Sequence, residues 1–452
     1  MKAMTLGEIC AAVDGDMDPS FAAISIGSVS TDSRKIGPAA LFVAIRGGRF
    51  DGHDFIEAAL AGGAAGALSS GGPAKGPVVR VGDTRLALMA LAAHYRRKFS
   101  LPVVAVTGST GKTSVKDFIA SALSESYATL KTEGNLNNEL GLPLTVFGLD
   151  EGHGAMVLEM GMSQLGEIGR LGRVALPDIC VITNIGLSHA GSLGGREGVL
   201  KAKSEILGCM REGGRALLWS GDDMLRRLRG RHAQTYYYGD DGDADFRCAD
   251  IAYLEGLSGM SFSFSYPGAE GPLGLRIPVP GRHMALNATA AAAVGTMLGV
   301  PAEGLRGGLA RARLTGMRLD VKRGGNGVTL IDDSYNASPD SMAAALDVLS
   351  QAKGRRVAIL GDMLELGDFS REGHEGVGRM AAEKGVALLL CVGEAAAGIR
   401  EGYTAAGGAE CRWFPTAEAC SETAPALLAR GDAVLVKASR AMGLERVAAS
   451  LL

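Results

Sequence analysis

Hydrophobic residues in this chain fall into short runs that are separated by glycine-rich or polar turns. From residue 101 onward these runs alternate with helical segments, and this alternation is typical of a parallel sheet in an α/β protein. We predict strands at 103–106, 156–160, 179–184, 236–239 and 260–266, then at 328–332, 356–360, 387–392 and 433–437. Before residue 100 the pattern predicts a strand at 41–45 and helices at 55–67 and 84–98.

The chain is too long for one ordinary core. Its 452 residues correspond to about three domains at a prior of roughly 150 residues each. The pattern changes near residues 100 and 316. We therefore predict a small α/β domain at 1–99, a central domain with a mostly parallel sheet at 100–316, and a Rossmann-like domain at 317–452. No Gly-x-Gly-x-x-Gly follows the strands of the last domain, so a nicotinamide site is not expected.

Composition narrows the class of partner. The formal net charge of −3 gives no basic field for nucleic acid or an anionic membrane, and no run of about 18 apolar residues exists to cross a bilayer. The seven cysteines are scattered singly, which favours reduced thiols over a disulfide framework or a zinc site. The N-terminal residues include acidic side chains and no long apolar core, so we expect no secretory signal and a cytoplasmic protein.

A glycine-rich loop after the 103–106 strand is the main candidate for nucleotide chemistry. Gly108-x-x-Gly111-Lys112-Thr113 lies at the start of a predicted helix, where backbone N–H groups can cradle phosphates. Lys112 supplies a positive charge, and the Thr113 hydroxyl can ligate Mg²⁺. The pattern therefore predicts an ATP site and a central domain of the phosphate-loop ATPase type. The strict motif has glycine where this chain has Val106, and an ordinary turn with an exposed lysine is therefore the alternative.

Two side chains lie at the carboxyl ends of central strands that are consecutive among those predicted, at the same sheet edge. Glu159 interrupts an apolar strand near its carboxyl end, where ligands of open α/β sheets bind. A buried carboxylate is costly unless it is paired or metal-bound, so we favour Mg²⁺ over a structural ion pair. His189 follows the next strand and can hold a second cation or orient a phosphate, or it is a surface residue.

A lysine on the predicted helix at 199–210 faces inward. Lys203 shares a face with Val199 and Ile206, whereas Lys201 and Glu205 lie opposite and are expected to pair in solvent. Desolvation and nearby cations favour a neutral amine, which can react with CO₂ to give a carbamate that binds metal. The alternative is that Lys203 extends its ammonium to the surface.

Several polar segments are candidates for substrate or nucleotide contacts. Ser30–Arg34 and the loop at 47–55 can grip a diphosphate or a base, although a solvated loop with a helix cap at Asp54 is an equal alternative. The amide-rich loop at 132–143 can bind substrate or simply form turns. His283 and Asn287 share a helical face suited to a purine, and the aspartates at 332–333 suit ribose or metal.

Taken together, these blocks resemble the Mur ligases. The resemblance is carried by residues 51–55, 107–113, 134–138, 158–161, 183–186, 202–206, 280–283, 333–337, 361–367 and 436–440. It implies a three-domain enzyme that uses ATP and two Mg²⁺ ions to join D-alanyl-D-alanine to UDP-N-acetylmuramoyl-tripeptide through an acyl phosphate. We also expect a monomer. A related ligase with another amine acceptor, such as a folylpolyglutamate-type enzyme, and a nucleotide-binding regulator without chemistry are the alternatives.

The resemblance also implies a role for each motif residue. ATP phosphates would contact Gly108, Ser109, Thr110, Gly111, Lys112, Thr113 and Ser114, with Arg318 near the terminal phosphate, His283 and Asn287 at adenine, and Asp333 at ribose. One Mg²⁺ would take Thr113 and Glu159, and the second His189 and carbamylated Lys203. Substrate would contact Ser33 and Arg34, through its uridine diphosphate, and Asn135 and Asn138. Met284 and Ser338 depart from the asparagines common at these positions.

Overall fold

The computed structural model describes residues 1–48, 50–71, 75–231, 234–324 and 327–452. Within these residues the strands form four sheets, of two, four, nine and six strands. The helices cover the faces of the three larger sheets. The apolar cores run on between them: one cluster combines residues of the central and C-terminal parts, and another combines residues of the N-terminal and central parts.

The N-terminal part contains a small antiparallel pair and a four-stranded parallel sheet in the order β3-β4-β5-β6. Its strands are β1 (Met4–Thr5), β2 (Ser25–Ile26), β3 (Ser28–Ser30), β4 (Ala40–Val43), β5 (Gly66–Ser69) and β6 (Val78–Arg80), and its helices are α1 (Leu6–Ala12), α2 (Ile56–Ala61) and α3 (Thr84–Arg96).

The central part contains the nine-stranded sheet, in the order β15-β14-β13-β12-β11-β10-β7-β9-β8. Its strands are β7 (Val103–Thr107), β8 (Thr129–Lys131), β9 (Ala155–Glu159), β10 (Ile179–Ile182), β11 (Arg215–Trp219), β12 (Thr235–Gly239), β13 (Phe246–Tyr253), β14 (Met260–Ser265) and β15 (Leu273–Ile277). The helices are α4 (Lys112–Leu123), α5 (Gly141–Val146), α6 (Glu167–Ala175), α7 (Ala190–Leu193), α8 (Arg196–Ser204), α9 (Asp223–Arg226), α10 (Arg282–Met297) and α11 (Ala302–Ala310). Strands β7 to β13 pair in parallel, whereas β14 and β15 are antiparallel.

The C-terminal part has a six-stranded sheet in the order β16-β17-β21-β18-β19-β20, parallel except for β16. Its strands are β16 (Asp320–Arg323), β17 (Thr329–Asp332), β18 (Arg356–Gly361), β19 (Leu388–Val392), β20 (Glu410–Phe414) and β21 (Ala433–Lys437). The helices are α12 (Pro339–Ser350), α13 (Ser370–Glu383), α14 (Ala397–Ala405), α15 (Ala417–Leu427) and α16 (Glu445–Ser450).

The predicted α/β class is confirmed, as are three sheet-based domains with a mostly parallel central sheet. The boundaries at 99/100 and 316/317 stay predictions. Ser338 caps α12 with Pro339 as its first residue, as the sequence indicated. No described helix is long and apolar enough to cross a membrane.

One predicted helix in the N-terminal part was wrong. The alanine-rich segment 55–67 supports a helix only to Ala61, and the chain then turns at Gly62 and Gly63 into the buried strand β5. Gly63 has a φ of +105°, a backbone conformation that residues other than glycine rarely adopt. Tertiary pairing of β5 between β4 and β6 therefore overrides the helix propensity of alanine.

Helix α3 joins the N-terminal part to the central sheet through two buried side chains. The Tyr95 hydroxyl donates to the Leu149 carbonyl at 2.6 Å. The Arg96 guanidinium is 3% exposed and donates to three backbone carbonyls. These acceptors are Ala175 O at 3.1 Å, Phe99 O at 2.8 Å and Leu101 O at 3.3 Å. Since a buried carbonyl without a donor is costly, this arginine fixes α3 against α6.

We expect Arg96→Met to lower the free energy of unfolding by about 3 kcal/mol, because it leaves buried carbonyls without donors. Urea unfolding monitored by circular dichroism measures this loss as an earlier midpoint. The control is Arg97→Met, since Arg97 is the exposed neighbour on the same helix end. Equal midpoints for the two variants would contradict the anchoring role of Arg96.

Candidate active site

A cleft of 1280 Å³ opens beyond the carboxyl ends of the central parallel strands and is lined from all three parts of the chain. It brings together most of the residues predicted from the sequence. These are Ser109, Thr110, Gly111, Lys112, Thr113, Ser114, Asn135, Asn138, Glu159, His189, Lys203, His283, Asn287, Arg318 and Asp333. Carboxyl ends of parallel strands are where open α/β sheets bind ligands.

The glycine-rich loop connects β7 to α4, as predicted. Gly111 precedes the helix with a φ of +79°. A Cβ on Gly108 would lie 1.8 Å from the Thr183 hydroxyl, so only glycine fits there. The Thr183 hydroxyl donates to the Thr110 carbonyl at 2.5 Å, and the Thr110 N–H donates to the Asn184 side chain at 2.9 Å. The loop is therefore held by the segment that follows β10.

Two lysines converge on this loop. The Nζ atoms of Lys112 and Lys203 donate to the same carbonyl, that of Gly108, at 2.8 and 2.9 Å. Burial lowers the pKa of Lys112, an effect that Glu159 opposes, and burial together with the charge of Lys112 lowers the pKa of Lys203 well below its usual value. Lys203 is 2% exposed, so the alternative that it reaches the surface is wrong.

Glu159 ends β9 inside the cleft. Its Oε1 accepts from the Asn137 side chain at 2.8 Å, while its Oε2 is buried and has no hydrogen-bond partner among the described residues. No described lysine or arginine forms an ion pair with it, so the structural ion-pair alternative is not supported. An unpartnered buried carboxylate oxygen fits a cation ligand.

Among the described residues, Glu159 is not part of a larger cluster of metal ligands. The part of the chain that the structure describes contains no group of three or more His, Cys, Asp or Glu arranged to hold a metal. Mg²⁺ commonly takes only one or two carboxylates and completes its shell with phosphates and water. Glu159 with the buried Thr113 hydroxyl therefore fits Mg²⁺ that is bound together with a polyphosphate.

His189 lies in the same cleft, at the start of α7, with a φ of +64°. Burial lowers its pKa, the carboxylate of Glu365 opposes this, and the charges of Lys203 and Lys112 lower it further. Its Nδ1 is 4.0 Å from Glu365 Oε2. These surroundings favour the neutral imidazole, which is the form that ligates metal.

Helix α10 presents His283 and Asn287 to the cleft. Burial lowers the pKa of His283 to about 4, so its ring is neutral at physiological pH. Asn287 lies against the phosphate loop, since a Cβ on Gly111 would stand 3.2 Å from its Oδ1. Met284 stands where asparagine is common in the family that the sequence resembles. Its buried sulfur lies 3.8 Å from the side-chain nitrogen of Asn287.

The C-terminal part contributes Arg318 and Asp333. Arg318 Nη2 donates to the Thr113 hydroxyl at 2.9 Å, and the guanidinium stands over the Tyr335 ring at 4.1 Å from its centroid. Asp333 Oδ2 accepts from Lys437 Nζ at 2.6 Å. Asp333 is therefore a paired carboxylate in this structure.

The structure does not bring Ser33 and Arg34 into the cleft. Arg34 is exposed and forms a two-point pair with Asp32, at 2.9 Å for each nitrogen. In the loop at 47–55, Arg49 lies outside the described residues. The alternative of a helix cap at Asp54 was wrong, because Asp51 caps the 3₁₀ turn by accepting from the His53 N–H.

Two other expectations from the sequence change with the structure: one pairing was wrong, and one loop has two different roles. Glu205 does not pair with Lys201, because its carboxylate accepts from Gly166 and Gly169 N–H at 2.7 and 2.9 Å and so holds the start of α6. In the amide-rich loop, Asn138 forms a turn by accepting from the Gly141 N–H, whereas Asn137 contacts Glu159.

Sequence reasoning missed several residues that shape the site. These are Asn137, Thr183, Asn184, Tyr335 and Lys437, all of which line the cleft. Each belongs to a polar block that the sequence singled out, but only the fold shows which member of the block reaches the site.

Three family models match the chain. They are described as Mur ligase family, catalytic domain (residues 25–96), Mur ligase middle domain (106–295) and Mur ligase, glutamate ligase domain (317–440).

Relatives and solved structures match over nearly the whole chain. The UDP-N-acetylmuramoyl-tripeptide–D-alanyl-D-alanine ligase of Bacillus subtilis is 37% identical over 99% of this chain and 98% of its own. MurF from Acinetobacter baumannii has a TM-score of 0.91 at 34% identity and covers 100% of this chain and 99% of its own. The MurF ligase of Thermotoga maritima in complex with ADP has a TM-score of 0.84 at 30% identity, over 94% and 96% of the two chains. The chain therefore belongs to the Mur ligase family.

Proposed function

We propose that this chain is an ATP-dependent ligase that joins D-alanyl-D-alanine to the terminal carboxylate of UDP-N-acetylmuramoyl-tripeptide, a step of peptidoglycan precursor synthesis. Relatives named for this reaction match the chain over almost its full length. The observation that carries the chemistry is the convergence of Lys112 and Lys203 on one loop carbonyl, in a cleft shared with the unpartnered oxygen of Glu159.

ATP would bind with its phosphates on the loop from Gly108 to Ser114. Backbone N–H groups at the start of α4 and the Lys112 ammonium would offset the phosphate charge. The neutral ring of His283 and the amide of Asn287 would contact adenine. The ADP complex of the Thermotoga maritima relative supports a nucleotide in this fold.

Two Mg²⁺ ions would be held beside the phosphates. Glu159 and Thr113 would ligate the first. His189 and Lys203 would serve the second, with Lys203 as a carbamate, since an amine that remains protonated repels a cation. When bound, Mg²⁺ supplies positive charge that stabilises the transferring phosphoryl group.

The reaction would proceed in two balanced steps. A carboxylate oxygen of the tripeptide attacks the γ-phosphorus of ATP, which gives an acyl phosphate and ADP. The free amine of D-alanyl-D-alanine then attacks the acyl carbon, loses a proton, and expels phosphate as the amide forms. Lys112 and Arg318 would stabilise the charge that develops on the phosphoryl oxygens.

The proposed substrate contacts include residues that lie outside the cleft. Asn135 and Asn138 line the cleft and would contact the UDP-linked substrate. Ser33 and Arg34 would meet its uridine diphosphate, and Arg34 must then exchange Asp32 for a phosphate. Asp333 would hold the ATP ribose while keeping its pair with Lys437.

We also propose that the protein is a monomer and lies in the cytoplasm.

We expect Lys112→Ala and Glu159→Ala each to lower D-alanyl-D-alanine-dependent phosphate release by at least about 10²-fold, because each removes stabilisation of phosphoryl charge. A coupled phosphate assay with UDP-N-acetylmuramoyl-tripeptide and ATP measures the rate. Lys201→Ala is the matched control, since Lys201 is exposed on α8 and lies outside the cleft.

Near-normal turnover in either cleft variant would contradict the assignment. The same assay with a panel of amines, among them D-alanyl-D-alanine, glutamate and diaminopimelate, separates this reaction from that of a ligase with another acceptor. Binding of ATP without turnover for any amine would instead indicate a regulator.

We expect Lys203 to incorporate label from ¹³C-bicarbonate, because its buried amine has a lowered pKa and reacts with CO₂ in its neutral form. A carbamate ¹³C NMR signal should appear in the wild-type chain at neutral pH and be absent from Lys203→Ala. Lys201→Ala should retain it. Full activity with bicarbonate removed and no carbamate signal would contradict the proposed modification.

A further inference from the structure

The segment between α11 and β16 connects the central sheet to the C-terminal sheet, and one of its residues is fixed to the phosphate-loop helix. The Thr315 N–H and hydroxyl both donate to Asp117 Oδ2, at 2.8 and 2.9 Å. Asp117 belongs to α4, and its side chain is fully buried. The connecting segment is therefore anchored to the central part at Thr315.

The residues immediately after this anchor are bonded to the C-terminal part instead. The Met317 carbonyl accepts from the Tyr335 N–H at 3.2 Å, and the Leu319 N–H donates to Asp333 Oδ1 at 3.1 Å. Gly316 lies between the two sets of bonds, and a Cβ there would meet no atom within 4 Å. The backbone thus passes from one set of partners to the other at Gly316.

The anchor and the phosphate-loop threonine lie on one face of α4. Thr113 and Asp117 are four residues apart in the helix, so their side chains are neighbours. Asp117 holds Thr315, while Thr113 accepts from Arg318 at 2.9 Å. The segment from 315 to 318 therefore contacts the helix at two points, one turn apart.

Two lysines, the fully buried Lys116 and the partly exposed Lys131, hold the Asp117 carboxylate in place. Its Oδ1 is 2.7 Å from Lys131 Nζ and 3.2 Å from Lys116 Nζ. Burial alone would raise the pKa of Asp117, but these two lysines and the Thr315 N–H lower it, so the carboxylate stays ionised.

The same network reaches the candidate metal ligand. Lys116 Nζ also donates to the Thr132 carbonyl at 2.7 Å, and the Thr132 hydroxyl accepts from the Glu159 N–H at 3.0 Å. The anchor of the connecting segment and the strand end that carries Glu159 are therefore parts of one buried set of hydrogen bonds.

We infer that Asp117 is a positioning residue that fixes Thr315 and thereby sets where Arg318 stands relative to the terminal phosphate of ATP. The inference rests on the proposed function, because it takes the nucleotide to lie on the loop before α4. The neighbours of Arg318 are bonded to the C-terminal part, and Thr315 ties that part to α4 only three residues earlier. Release of Thr315 therefore lets the C-terminal part, and the Arg318 guanidinium with it, shift relative to the phosphates. Asp117 itself touches no reacting atom.

The test compares the affinities of full-length variants for Mg²⁺ with a non-hydrolysable ATP analogue and for Mg²⁺ with ADP, by titration calorimetry. We expect Thr315→Val and Asp117→Asn each to lower the affinity for the ATP analogue about tenfold and to leave the affinity for ADP unchanged. The reason is that Arg318 would contact only the terminal phosphate. Thr315→Ser keeps the hydroxyl and should bind both nucleotides as the wild type does. Thr296→Val is the control, because its hydroxyl bonds within α10.

If Asp117 has a purely structural role, the substitutions will lower the affinity for both nucleotides equally or for neither, and either result overturns the inference. Thr315→Val keeps the backbone bond to Asp117, so the test stands even where Asp117→Asn does not fold. Nucleotide binding is measured without the other substrates. A wild-type chain that lacks ligase turnover would therefore contradict the proposed function and leave this comparison unaffected.

Discussion

The site depends on two lysine side chains that share one backbone carbonyl. Lys112 and Lys203 both donate to Gly108 O inside a cleft where burial disfavours their charged forms. Two protonated lysines at this distance would repel each other, which disfavours the charged form of Lys203, and Glu159 supplies one negative charge near Lys112. A polyphosphate supplies several, so the arrangement is one that nucleotide binding relieves. The absence of a side chain at Gly108 is what lets Thr183 approach the loop.

Sequence alone predicted the parts of the site that depend on local order. The strand, loop and helix around Lys112 follow from hydrophobic periodicity and glycine placement, and Glu159 follows from a charge at the end of an apolar strand. The inward direction of Lys203 follows from its helical face, which the structure confirms. The roles drawn from the family resemblance stay predictions wherever the geometry shows only proximity.

The remaining features depend on contacts between residues that are distant in sequence. Asn137 and Asn138 are adjacent amides, yet one bonds Glu159 and the other closes a turn, and no local rule separates them. Glu205 shares a helical face with Lys201 but bonds the start of α6, because those N–H groups lack helical partners. The helix predicted to Ala67 failed because β5 is specified by its neighbouring strands.

The attachment of the phosphate loop to the segment after β10 has a consequence for synthesis of the chain on the ribosome. Thr110 and its partner Asn184 are 74 residues apart, and β7 pairs with β10 as well as β9. At roughly 5–20 residues per second, the loop would emerge roughly 4–15 s before the residues that hold it. A nascent chain that ends before Asn184 thus has the glycine-rich sequence without the hydrogen bonds that fix the shape of the loop.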